Sequence, residues 1–168
     1  VKDSSLALPN AAVTSGSVLR RDAALVVRRA ALGLILLWSG LAVLAAEVTL
    51  LPTAGGGRLI RGTDEGAAPD AAAWRTLAYS DQDWEDVEFP VFHGLALTGT
   101  RLSDMPGQYT TVYVRRSFTV ENPVEVLRLQ FGTVCDGGYV AWINGQEIRR
   151  SNVSAGELTF DSTALAEQ

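Results

Sequence analysis

The chain has 168 residues, the size of one domain at the usual ~100–200 residues each, and its 47% hydrophobic and 20% charged content excludes a disordered acidic tail. Fourteen Lys and Arg against nineteen Asp and Glu give a net charge of −5, and an acidic body excludes nucleic acid as a partner because phosphate binding needs a basic surface. A lone cysteine, Cys135, excludes an internal disulfide and a thiolate zinc cluster, and with a single histidine little remains for catalysis or for a cofactor.

Charge is unevenly distributed. Residues 1–46 carry five basic and two acidic residues, whereas residues 47–168 carry nine basic and seventeen acidic. Residues 1–19 are polar and read as a disordered N-terminal extension. Residues 20–46 read as a helical hydrophobic leader: Arg20, Arg21, Arg28 and Arg29 precede an uncharged run, AALGLILLWSGLAVLAA, which ends in small residues before Glu47. A positive segment, an apolar run and a small-residue exit describe a secretory signal peptide, with the arginines held on the cytoplasmic side. The rival is a retained signal anchor; seventeen apolar residues are short of the ~20 that span a ~30 Å hydrocarbon core. Either reading makes the protein exported, whether secreted, periplasmic or at the cell surface. It touches a membrane only through the leader, and is membrane-anchored if that leader is retained. No cysteine lies near the exit, which excludes lipoprotein attachment.

Residues 47–73, rich in Gly, Ala and Pro, read as a linker or lead-in loop with a short strand near Arg58–Arg61. From residue 74 to 168 short strands alternate with turn signals, which predicts an all-β sandwich or barrel. Trp74–Tyr79 is the first expected strand, followed by a turn over Ser80–Asp86 in which Asp81 and Asp83 accept backbone N–H bonds. Val87–Phe92 is extended, with Pro90 marking an edge or bulge. Residues 109–120 place Val112, Val114, Phe118 and Val120 on one face and Tyr113, Arg115, Ser117 and Thr119 on the other. Arg116 interrupts the apolar face, either as a buried ion-pair residue or where that face meets solvent. Val126–Thr133 alternates again, with Leu127, Leu129 and Phe131 on one side. Tyr139–Ile143 is apolar on both sides, as a central strand is. Asn144-Gly145 predicts a type I′ hairpin turn into Gln146–Arg150, and Gly156–Phe160 starts one more strand.

Several of these segments fall in a familiar order. Trp74, then Ser80-Asp81-Gln-Asp83-Trp84, Pro90, Leu102-Ser-Asp104-Met-Pro-Gly107 and Tyr113-Val-Arg115-Arg116-Ser-Phe118 lead to Asp136-Gly137-Gly-Tyr-Val140-Ala-Trp-Ile143-Asn144-Gly145. This layout resembles the galactose-binding-domain-like jelly roll. It is similar to the sugar-binding domain of family 2 glycoside hydrolases, and closer to modules of large exported bacterial proteins. The resemblance covers about residues 74–160. It implies a jelly-roll-type sandwich of roughly eight strands in two antiparallel sheets. It also implies a non-catalytic role in binding sugars or neighbouring domains of a longer parent protein. The closing strands of the family have no counterpart before Gln168, so the domain is expected to be incomplete at its C-terminus and marginally stable alone. The alternative is an accessory sugar-binding domain of a glycoside hydrolase whose catalytic domain is not in this chain.

The candidate ligand residues are Asp81, Trp84, His93, Asp104, Tyr109 and Asp136. A sugar ring stacks on an indole while carboxylates accept its hydroxyls, which suits Trp84 beside Asp81 and Asp83. The bland alternative is a tryptophan plugging the core above an aspartate that satisfies its own turn. The run Asp81, Asp83, Glu85, Asp86, Glu88 lacks calcium-loop spacing and reads as a solvated acidic face rather than a metal site. His93 has no nucleophile or orienting carboxylate assigned to it, and Asp136 reads equally as the cap of its tight turn. No catalytic residues are expected.

Overall fold

In a computed structural model of the chain, residues 11–15, 24–29, 46–94 and 97–165 are described, the first two stretches as backbone strands. The elements among them are eleven strands and two single 3-10 turns, Ala73–Arg75 and Pro123–Glu125. The strands are β1 (Ala11–Ser15), β2 (Ala24–Arg29), β3 (Ala46–Leu51), β4 (Gly55–Arg61), β5 (Glu85–Phe89), β6 (Val91–Phe92), β7 (Thr100–Arg101), β8 (Val112–Arg116), β9 (Val126–Gly132), β10 (Tyr139–Ile143) and β11 (Gln146–Ser151). The all-β class predicted from period-two alternation is the class observed.

A six-stranded sheet runs β11-β10-β1-β8-β4-β5, a three-stranded sheet runs β3-β2-β9, and β6 and β7 form a short parallel pair. Every pairing in the two larger sheets is antiparallel. β8 is buried along its whole length because both of its faces are covered. Val112 and Val114 join Leu59, Val87, Phe89 and Leu102 in one apolar cluster, while Tyr113, on the alternate face, joins Trp74, Trp84, Val140 and Trp142 in another. A third cluster, Leu51, Phe118 and Val120 with Phe131 and Ile143 against it, is where the two sheets meet.

Local chemistry explains most of the boundaries. Pro90 separates β5 from β6, as a residue without a ladder donor must. Asn144 and Gly145 adopt φ of 52° and 83°, the positive values a type I′ turn requires, and β11 returns beside β10.

Other expectations are corrected. Trp74–Tyr79 is a 3-10 turn and coil instead of a strand, and Trp74 packs as a plug against the Tyr113 face of the large sheet. Its ring is 0% exposed and meets Tyr113 and Trp142 edge-on at 5.0 and 5.5 Å. Residues 156–160 form no strand; Leu158 and Phe160 pack over the same aromatic cluster. The short strand expected near Arg58–Arg61 is observed but is longer: it begins at Gly55, within the stretch read as lead-in, and forms β4, seated between β8 and β5. Ala11–Ser15, within the segment read as a disordered extension, is a strand paired with both β8 and β10. Ala24–Arg29, at the start of the expected leader, is a strand paired with β3 and β9. The apolar run expected to form the leader helix, residues 30–45, lies outside the described residues. Among the described residues no helix is long and apolar enough to cross a membrane.

Candidate functional site

The segment between β7 and β8 is anchored by its apolar residues. Leu102, Met105 and Tyr109 are buried in the cluster beneath β8, and backbone bonds from Gln108 and Tyr109 to the Met105 carbonyl close the turn. Asp104 and Gln108 stay at the surface. The Tyr109 hydroxyl, drawn to the rim by this anchoring, donates to Asp104 Oδ1 at 2.9 Å. Arg61, the last residue of β4, donates from Nε to Asp104 Oδ2 at 2.6 Å and from Nη1 to the Glu85 carboxylate. Two of the six candidate residues, Asp104 and Tyr109, are thus brought together, and Arg61 and Glu85 complete the group.

The electrostatics follow from those contacts. Burial, reinforced by the Asp104 hydrogen bond and charge, pushes the Tyr109 hydroxyl up to about 12. Desolvation works against the Asp104 carboxylate, but the Tyr109 hydroxyl and the Arg61 guanidinium outweigh it and hold its pKa below the usual range. The Glu85 hydrogen bond holds Arg61 firmly protonated. Asp104 is thereby held as a charged acceptor against the neutral Tyr109 hydroxyl and the Arg61 guanidinium.

Beside Tyr109 lies a cleft of about 350 Å³ lined by Thr63, Gln108, Thr110, Phe160 and Asp161 with glycines 62 and 107. Its walls come from three parts of the chain that hydrogen bonds tie together. The Gly62 N–H donates to the Thr111 carbonyl at 2.9 Å, and the Thr111 hydroxyl donates to the Phe160 carbonyl. Glycine is required at 62 because a Cβ there would lie 1.8 Å from Thr111 Oγ1. The lining combines two aromatic rings with hydroxyl, amide and carboxylate groups.

The other candidates lie elsewhere. Trp84 does not offer its ring to a ligand: it is 5% exposed and packs against Trp74 and Tyr79 at 6.1 and 6.0 Å. Asp81 pairs with the buried Arg115 at 3.3 Å, and its carbonyl accepts the Trp84 N–H at 3.0 Å. The aspartate and the tryptophan after it are therefore engaged in holding the turn and the core. His93 is half-buried in the bend after β6, and Asp136 is half-buried in the turn before β10. Neither lines the cleft beside Tyr109. Among the described residues no cluster of three or more His, Cys, Asp or Glu is arranged to hold a metal ion.

Sequence reasoning missed Arg61, Thr63 and Phe160. Arg61 ended a short strand expected within a stretch read as linker, and Phe160 ended the segment Gly156–Phe160 expected to start a strand. The usable signal was the charge on Arg61 immediately before Gly62 and Thr63, a loop-forming pair at a strand end.

A second cleft, about 490 Å³, opens between β9 and the β10–β11 hairpin, lined in part by Arg128, Phe131, Tyr139, Ile143, Ile148 and Arg149. No protein-family model matches the chain, and neither a curated protein nor a solved structure matches it.

Proposed function

We propose that this protein is a non-catalytic β-sandwich module of the jelly-roll type that binds carbohydrate in the cleft beside Tyr109. The observation that carries the reading is the lining of that cleft. The apolar C–H face of a sugar packs on the half-buried Phe160 ring, above the floor made by the buried Tyr109, and its hydroxyls pair with the neighbouring Thr63, Gln108, Thr110 and Asp161. Asp104 supports this from behind: its carboxylate is committed to Arg61 and Tyr109, which fixes the tyrosine that forms that floor. The role proposed for the protein is recognition, displayed outside the cytoplasm, within a larger envelope or extracellular protein.

The test is a glycan array probed with the full chain, followed by calorimetric titration of the best hit. Asp161→Ala and Gln108→Ala are expected to weaken binding about 5–30-fold each, the worth of one or two hydrogen bonds to a neutral ligand. Trp84→Phe should leave affinity unchanged. A hit whose affinity ignores both cleft substitutions, or silence across neutral and acidic glycans, overturns the proposal.

A further inference from the structure

β1 and β2 occupy the interiors of their sheets. β1 is hydrogen-bonded on both edges: Ala11–Ser15 runs opposite Arg116–Val112 on one side and Ile143–Tyr139 on the other. β2 is the middle strand of the smaller sheet, between β3 and β9. Without residues 11–29, β8 would face β10 across a gap one strand wide, roughly 10 Å at the usual spacing. β3 would face β9 in the same way. Each flanking strand would then present a row of unpaired N–H and C=O groups, and on β8 and β10 that row lies in a buried part of the fold.

The register also restricts what fits. Position 12 stands opposite Arg115 and Trp142, and position 14 opposite Tyr113 and Val140. Arg115, Trp142 and Tyr113 are among the bulkiest side chains of the core. The residues at those positions are small, Ala12 and Thr14. A bulky residue introduced at position 12 would stand in register with both Arg115 and Trp142.

We propose that the two gaps are strand-acceptor slots whose occupant is the chain's own N-terminal arm, residues 11–29, which the rest of the domain binds as it would an added peptide strand. The arm is joined to the rest by residues 30–45 alone.

The experiment uses the full chain with a protease recognition sequence inserted between Leu37 and Trp38 and cut after purification. The expected result is that the severed arm stays bound through gel filtration and that a labelled synthetic peptide covering residues 9–31 exchanges into the complex. The same peptide carrying Ala12→Trp should compete roughly 10–100-fold more weakly. A second measurement avoids reliance on the cut protein. In the uncut chain Ala12→Trp should lower amide-exchange protection over 112–116 and 139–143 while β5 keeps its own. The proposal is overturned if the severed arm elutes apart while the remainder keeps full protection over 112–116 and 139–143. It is equally overturned if Ala12→Trp changes neither peptide affinity nor protection. Glycan binding is read separately and does not depend on either result.

Discussion

Two adjacent arginines illustrate how the same residue type is accommodated on opposite faces of one strand. Arg115 is 1% exposed; its Nη1 and Nη2 donate to the Tyr79 and Thr76 carbonyls, each at 3.0 Å, and Asp81 supplies the countercharge. Arg116 points the other way, stacks over Phe89 at 4.6 Å, and donates to the carbonyls of Pro52, Ala54 and Gly56. Burial pushes both pKa values down, yet a guanidinium stays charged at any accessible pH. Arg115→Ala would leave two buried carbonyls and Asp81 without their partner and is expected to cost about 3–5 kcal/mol in a urea melt. A loss under about 1 kcal/mol would show that water replaces the side chain. Arg115→Lys should recover little, since one ammonium cannot reproduce the planar fork. Tyr109 makes the pH-dependent counterpart. Its folded pKa of about 12 lies above the unfolded value near 10, so its contribution is fully present below pH 10 and is lost as pH rises through 12. Denaturation followed between pH 9 and 12 should show stability falling, and Tyr109→Phe should remove part of that fall. Identical slopes for the two chains would mean that neither burial nor Asp104 keeps the hydroxyl protonated above pH 10.

At the scale of elements, the closure of the cleft depends on Gly62 and Thr111. Gly62→Ala places a methyl against Thr111 Oγ1 and 2.8 Å from the Thr111 carbonyl, and the expected cost is about 1–3 kcal/mol together with loss of ligand affinity. Adding Thr111→Ala removes the nearer atom but not the carbonyl, so rescue should be partial; full rescue would mean the backbone contact is relieved by a small shift. The elements also divide by how well the sequence announces them. β8 was legible from its period-two alternation, β10 because it is apolar on both sides, and the β10–β11 turn because Asn144-Gly145 has few other uses. β4 was legible only over Arg58–Arg61, since Gly55–Gly57 look like linker when only local propensity is read, and its place comes from long-range pairing with β5 and β8. Trp74 misled for the opposite reason: an aromatic beside alternating residues suggests a strand, whereas its ring fills the core against Tyr113 and Trp142. In the candidate site, Asp104 and Tyr109 were legible from the loop they share. Arg61 and Phe160 reach it from 43 and 51 residues away from Asp104 and Tyr109 respectively, a proximity that periodicity does not encode.

For the molecule as a whole, the edges of its sheets decide how it meets other copies of itself. β5 closes one end of the large sheet with Glu85, Asp86 and Glu88 exposed, and β11 closes the other with Glu147 and Arg149 exposed. Charged side chains on an edge oppose the approach of a further strand, and at a net charge of −5 the acidic edge repels its own copy. β9, at the edge of the smaller sheet, is different. It carries one charge, Arg128, and leaves Leu127 65% and Leu129 37% exposed, with Ile148 of β11 41% exposed across the adjoining cleft. Scattered apolar residues need no explanation, but two leucines alternating along a free edge make an association surface. Self-association is therefore expected to run through β9 and not through β5 or β11. Leu127→Lys should lower light scattering and the weight-average mass in sedimentation at high protein concentration. Because Leu127 is already two-thirds in water, the melt should shift by no more than about 0.5 kcal/mol. Glu88→Gln, which removes a charge from the opposite edge, should alter association far less. If Glu88→Gln increases association while Leu127→Lys leaves it unchanged, contact runs through the acidic edge and the assignment to β9 fails.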